Sequence, residues 1–364
     1  IELSPSKSQG FKINLEASVN STGLFGISPQ VSYYHKNIFH GGERLSLGFV
    51  GNYQFRFGKN PARSIENGVN AALDFPRFVF LPARLFRMEI PHTTISASYN
   101  HQSRPEYTRN IISTTYSYKG VGGKRRRLNY VASPLRLNIV NMFNVDSAFF
   151  KSISSNPFLK NAYQNHFDLG CGLNLYYTNK TTSSPFYVRT TFDIAGNILS
   201  LFNPLMPMNA EGHRTIWNTP YSQYVRLEFN IGQTWNFGLE NKFGVAIRAV
   251  IGAGYAYGNS SALPFERHFW AGGASSLRGF QSRTVGPGRG LRNKTFVIPN
   301  QTGDMKIEAN VEFRFPIVWK LEGAGFIDAG NVWTINSKSA DAALTDFSLD
   351  HFFDSVALCS GVGI

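Results

Sequence analysis

The chain has 364 residues, 42% hydrophobic and 16% charged, with 34 Gly, 31 Phe, 16 Tyr and a formal charge of +13. The length admits two ordinary domains or one large β-domain, and sparse charge with abundant aromatics suits strands better than a helical bundle. The mean hydropathy is −0.19 and no apolar run reaches roughly 18 residues, which excludes an ordinary transmembrane helix but not a membrane barrel, whose strands alternate apolar and polar residues.

Alternation begins at once. In Phe11–Asn20, the apolar Phe11, Ile13, Leu15, Ala17 and Val19 alternate with Lys12, Asn14, Glu16, Ser18 and Asn20, a period of two. From Arg44 to Phe57 the apolar set is Leu45, Leu47, Phe49, Tyr53, Phe55 and Phe57; later it is Val225, Leu227, Phe229 and Ile231, then Ile307, Ala309, Val311, Phe313 and Phe315. These runs last about ten residues, enough to cross a bilayer at a tilt and longer than a usual soluble strand. The pattern predicts strands over 10–20, 27–36, 43–57, 69–80, 93–102, 108–118, 126–139, 165–178, 185–195, 221–237, 241–257, 303–315, 319–333 and 352–364. It implies an all-β fold, a transmembrane antiparallel barrel with an apolar outside and a wet, charged lumen.

If the first strand runs outward, the inner turns are short: Asn179–Ser184, Gly238–Glu240 and Pro316–Trp319. The outer loops Asn144–Gln164, Gly196–Pro220, Gly258–Thr302 and Thr334–His351 are long, the pattern of outer-membrane barrels. Within Ser147–Tyr163, Phe149, Phe150, Ile153 and Phe158 have roughly helical spacing; a short helix or an apolar loop packed over the barrel both fit. The last strand stops at Gly361-Val362-Gly363-Ile364, so further strands are expected beyond it.

Other signals are weaker. Cys171 and Cys359 form neither a disulfide framework nor a metal spacing and read as small, buried or lipid-facing thiols. The densest basic run is Lys124-Arg125-Arg126-Arg127. The remaining charge is scattered, unlike a nucleic-acid stripe, so no nucleic-acid partner is expected; positive loops facing anionic lipopolysaccharide fit better. Ile1-Glu2-Leu3-Ser4-Pro5 lacks the basic and apolar regions of a signal peptide. The eight histidines are dispersed and no G-x-S-x-G or H-E-x-x-H occurs, so no enzyme, metal or cofactor is expected. Gly286-Pro287-Gly288-Arg289-Gly290 lacks the strand-to-helix context of a phosphate loop and reads as a flexible segment.

The most informative stretch is Trp270–Gly290 in the longest loop. Its Leu277-Arg278-Gly279-Phe280 resembles the (V/L)-R-G-(F/Y) signature on the sixth outer loop of the BamA/TamA superfamily. Glu312-Phe313-Arg314-Phe315-Pro316 resembles the family's following strand, and Phe326-Ile327-Asp328-Ala329-Gly330-Asn331-Val332-Trp333 its F-x-D-x-G strand. The opening segments Ser6–Phe11, Ser21–Gly26 and His35–Glu43 resemble the first strands and turn, closest to TamL-like and BamA-like barrels of Bacteroidetes. The resemblance covers essentially the whole of 1–364 as one barrel, weakly outside these motifs. It implies sixteen strands in the whole protein with about fourteen here, POTRA domains upstream, and loop 258–302 folded into the lumen.

Physical chemistry supports the motif. Glu312 shares the polar phase of its strand with Glu308 and Arg314, while Phe326, Asp328 and Gly330 share one phase of the next. An arginine between two inward carboxylates makes charge-assisted, bidentate bonds. The expectation is that Arg278 pairs with Asp328 and Glu312, that Gly279 permits a sharp turn, and that Gly330 makes room for the loop tip. The resemblance further implies an integral outer-membrane device that inserts or translocates proteins. Its seam lies at Phe11, Ile13, Leu15, Ala17 and Val19, and its partners are client outer-membrane proteins, accessory periplasmic or lipoprotein subunits, and lipid. The rival readings are a two-partner-type secretion pore for one dedicated client, a passive porin or structural barrel, and an enzyme domain fused to the barrel, which nothing in these residues supports.

Overall fold

The computed structural model describes residues 7–19, 24–57, 61–82, 91–122, 125–154, 163–179, 181, 183–290, 301–319, 321–335 and 342–364. The opening residues 1–6, the Ser21-Thr22-Gly23 segment, Lys124, parts of the loops at 155–162 and 336–341, and 291–300 lie outside them.

One antiparallel meander dominates. The strands are β1 (Gln9–Val19), β2 (Phe25–Lys36), β3 (Arg44–Arg56), β4 (Ala62–Phe75), β5 (His92–Ser103), β6 (Thr108–Gly122), β7 (Leu128–Phe143), β8 (His166–Thr178), β9 (Phe186–Ala195), β12 (Tyr224–Phe237), β13 (Phe243–Ala256), β14 (Met305–Val318), β15 (Leu321–Trp333) and β16 (Ala357–Gly363). They form a 14-stranded sheet in chain order, while β10 (Thr215–Ile216) and β11 (Thr219–Pro220) make a separate small ladder in an outer loop. Each strand therefore pairs its backbone with its neighbours, which is what a lipid environment demands of the peptide group.

The side chains sort as alternation requires. On β14, Val311 and Phe313 are exposed while Glu308 and Asn310 are buried. On β13, Ile247, Ile251 and Tyr255 are exposed outward. At the inner ends of β12, β13 and β14 an aromatic chain runs across the outer face: Phe237 stacks on Phe243, Phe243 on Phe313 and Phe313 on Phe315. Such a row suits the membrane–water boundary. Among the described residues no helix is long and apolar enough to cross a membrane; the strands do so.

Register and bulges follow the prolines. The β7–β8 ladder shifts between Ser133 and Arg136, around Pro134, and the β14–β15 ladder shifts between Pro316 and Val318. Proline donates no N–H, so a central strand tolerates it at such interruptions.

Most predicted strands lie within a few residues of their observed places, and two need correction. The fourth spans Ala62–Phe75 rather than 69–80: Pro76 ends the ladder, and the apolar Phe78 and Phe80 that prolonged the pattern pack instead on the rings of Tyr118 and Tyr116. The last begins at Ala357, because Phe352–Ser355 is a helical turn whose Phe352 stacks on Trp333. In the loop after β7, Ser147–Ser154 is helical; its Phe149 is buried with Tyr107, Tyr163 and Phe265.

Candidate functional site

The segment between β13 and β14 does not stay outside the sheet. Glu266 touches β6 through Arg109, and Gly279 touches β16 through Cys359, whose Sγ accepts its N–H at 3.3 Å. One loop reaching strands so far apart in the meander shows that the sheet curls around it. Two glycines make its bend, Gly272 and Gly273, both near φ +97, a region open to glycine at little cost.

Within the loop, Leu277 is fully buried in a cluster with Phe269, Ala271, Val285 and Val332. That anchor presents Arg278 to the wall. Its Nε donates to Asp328 Oδ2 at 2.9 Å, its Nη2 to Asp328 Oδ1 at 2.7 Å, and its backbone N–H to Asp328 Oδ2 at 3.0 Å. Nη1 donates to Glu312, whose other oxygen accepts Arg314 Nε at 2.7 Å. The guanidinium lies over the Phe326 ring, 3.7 Å from its centroid, adding a cation–π contact. Asp328 has no solvent-exposed side-chain surface, so the fork-to-fork pair is desolvated on the carboxylate side. The structure thus brings Leu277, Arg278, Glu312 and Asp328 together, with Phe326 as a fifth member. Ser276 Oγ donates to Glu308, and Arg248 Nη1 donates to the Ser275 carbonyl at 2.8 Å.

The two glycines work differently from expectation. Gly279 has no positive φ; a Cβ there would stand 2.6 Å from Cys359 Cβ, so it permits close approach to β16 rather than a turn. A Cβ at Gly330 would meet the Ile307 carbonyl at 2.6 Å and Glu308 Cγ at 2.9 Å, so this glycine admits β14, not the loop tip. Phe280 packs at the edge of the buried cluster. Cys359, opposite the inward Asp328 in the ladder, faces the loop rather than lipid.

A second anchor lies on the far wall, and no sequence signal marked it. Glu266 is held by Arg109 of β6 and by His166 Nε2 of β8 at 3.3 Å. Burial opposes its ionisation, but the His166 hydrogen bond and the Arg109 charge overcome this and hold its carboxyl far below the usual range. Arg267 Nη2 donates to Asp168 Oδ2 at 3.2 Å, and the same oxygen accepts Tyr224 Oη at 2.9 Å. The Arg267 carbonyl accepts Arg226 Nε at 3.1 Å. Beside them Asp193 accepts Arg136 and, at 3.5 Å, Arg226.

Between the anchors, His268 Nε2 stands 3.6 Å from Asp304 Oδ1. Burial pushes His268 down to about 3 and Asp304 up to about 7. Between pH about 4 and 6.5 the unfolded pair carries one proton, on histidine, and the folded pair also carries one, on Asp304. The two effects cancel there. Alone, Asp304 loses stability as pH rises from about 4 to 7, and His268 alone loses it as pH falls from about 6.5 to 3. H268Q is therefore expected to make thermal stability in detergent fall from pH 4.5 to 6.5 relative to the native chain, and D304N to make it rise, each with a slope approaching about one proton. Parallel profiles for all three proteins would refute the assignment.

The edge residues Phe11, Ile13, Leu15, Ala17 and Val19 lie on β1, paired with β2 along its full length from Gln9↔His35 to Val19↔Phe25. Phe11 and Val19 are 76% and 77% exposed. In the sheet order β1 and β16 are the two edge strands. Among the described residues no cluster of metal-ligating side chains occurs.

A model of the Omp85 superfamily domain matches residues 9–364. Over 106 residues, 28% of this chain, the sequence is 30% identical to the outer membrane protein assembly factor BamA of Neisseria meningitidis serogroup B, a match covering 13% of that protein. Among solved structures, BamA from Haemophilus ducreyi lacking POTRA domains 1–3 is similar at a TM-score of 0.64 and 15% identity, over 98% of this chain and 64% of that one. CdiB from Escherichia coli is similar at 0.53 and 10% identity, over 94% and 55%, and CdiB from Acinetobacter baumannii at 0.50 and 12%, over 92% and 51%. At these identities the structures show a shared fold, and this chain spans less than two thirds of each of them.

Proposed function

Because the chain belongs to the Omp85 superfamily and is an integral β-barrel of the bacterial outer membrane, we propose that it inserts other proteins into that membrane or passes them through it. The observation that carries this reading is the loop arginine clamped to Asp328 and Glu312 inside the lumen. A passive porin is expected to lack this Arg278–Asp328 lock. The relative named an assembly factor supports insertion as the task.

In this reading β1 is the working edge. Its outward face is apolar, and as an edge strand among the described residues it offers a backbone template on which a client strand adds by β-augmentation. The clients are nascent outer-membrane proteins. Upstream POTRA domains and accessory lipoproteins deliver them, and the driving free energy is that of the client's own folding in the bilayer.

Photo-reactive residues placed at 11, 13, 15, 17 and 19 of the protein in cells are expected to trap many different nascent barrel proteins. Capture of a single exported client, together with large conductance in planar bilayers, would favour the dedicated secretion pore instead. No client adduct at any position would sink the insertion reading.

A further inference from the structure

The outer loop from Gly196 to Ser222 carries apolar side chains that the lumen does not use. Ile198, Leu201, Phe202, Leu205, Met208 and Trp217 are all more than half exposed, Leu205 and Trp217 at 83% and 82%. Six exposed apolar side chains on one loop point to an interaction site.

Its position identifies the partner. On β8, Asp168 faces the lumen, where it holds Arg267, so the adjacent Phe167 faces outward. The Trp217 ring sits edge-on to Phe167, centroids 6.1 Å apart. Tyr221 bridges to Phe167, and Ser222 N–H donates to the Phe167 carbonyl at 2.8 Å. The loop therefore folds down over the outside of the sheet at its outer rim. A second tether comes from β13's end: Tyr257 Oη donates to Asn197 Oδ1 at 2.7 Å, and Tyr257 stacks on the outward, half-exposed Tyr255. The loop is thus tied at both ends to outward-facing residues of the barrel rim.

The loop is also held in shape. Tyr221 Oη donates to Asn203 Oδ1 at 2.7 Å, Arg214 Nη1 to the Met206 carbonyl at 2.8 Å, and Asn259 Nδ2 to the Arg214 and Tyr221 carbonyls at 2.9 Å each. These bonds turn polar groups inward and leave the apolar ones outward.

We propose that the loop between β9 and β12 is an interfacial anchor that rests in the outer leaflet, with Trp217, Leu201 and Leu205 against lipid acyl chains. Tryptophan over a short apolar stretch with its polar groups internally bonded is what the membrane boundary selects. The anchor fixes the β8–β12 wall at one depth, well away in strand order from the β1 edge.

The test uses the full chain in phosphatidylcholine vesicles, comparing native protein with W217F so that the difference spectrum isolates one of the 5 tryptophans. The Trp217 signal is expected to lose most of its intensity in vesicles of lipid brominated near the headgroup and to resist aqueous iodide. Quenching by iodide with no response to bromine would overturn the proposal, placing the loop in water. Should W217F fail to show the heat-modifiable mobility of a folded barrel, a spin label at L205C in a C171S/C359S background gives the same reading. Its relaxation should then respond more to oxygen than to a water-soluble paramagnet, and the reverse would overturn the anchor.

Discussion

An R278A variant is expected to lose the client insertion proposed above while its strands still fold. The side chain is the only cation within reach of Asp328 among the hydrogen bonds and ion pairs of that carboxylate in the described residues. Truncation leaves a buried aspartate without its counter-charge, a loss of about 3–5 kcal/mol for such pairs. The strand ladders do not pass through Arg278, so the cost falls on the loop. The loop tip should leave the wall, and trypsin should then cut after Arg283 and Arg289. R278K tests the geometry: it keeps the charge but not the planar fork that meets both Asp328 oxygens, so protection should be intermediate. Insertion at the native rate by R278A, with the loop protected from trypsin, would show that the clamp is dispensable.

This site was legible in the sequence because alternation met a family resemblance there. Alternation placed Glu312 and Asp328 on the inward face of adjacent strands, and the resemblance of Leu277–Phe280 to the superfamily signature supplied the arginine. The same rule failed at 76–80, where Phe78, Val79 and Phe80 continue an apolar pattern after Pro76 has already ended the ladder; periodicity does not count hydrogen bonds. The roles of Gly279 and Gly330 were also beyond it, since each is set by a neighbour from another strand, Cys359 and Glu308. The far-wall anchor left no trace at all. Arg109 and Glu266 are 157 positions apart and Asp168 and Arg267 are 99 apart, and a loop has no period from which facing residues can be read. The outer-rim patch had the same problem: Leu201, Leu205 and Trp217 reveal a direction only once the loop is seen folded over Phe167.

D168A is expected to have the second large effect, and its interplay with Arg278 tests whether the loop is a strut. Asp168 is 2% exposed and accepts from Arg267, Tyr224 and Asn138. Its removal leaves Arg267 beside Asp193 alone as the next carboxylate, and costs about 3–5 kcal/mol if the arginine cannot relax to it. Between the anchors lie the buried Phe269, Ala271 and Leu277, a packed segment that transmits tension rather than absorbing it. If the segment acts as one body, freeing either end already releases the other in part. The double variant R278A/D168A should then lose less stability than the two single losses together, with a coupling of about 0.5–3 kcal/mol. Tyr224→Phe serves as the control, since it removes the bond to Asp168 and the one accepted from Arg136 while keeping the ring that packs on Leu263 of the loop. Strict additivity of R278A and D168A, measured by denaturation in detergent, would mean two independent contacts and no strut across the lumen. Coupling without effect from Y224F would locate the shared element in residues 267–278, the stretch that ties the β6–β8 wall to the β14–β15 wall.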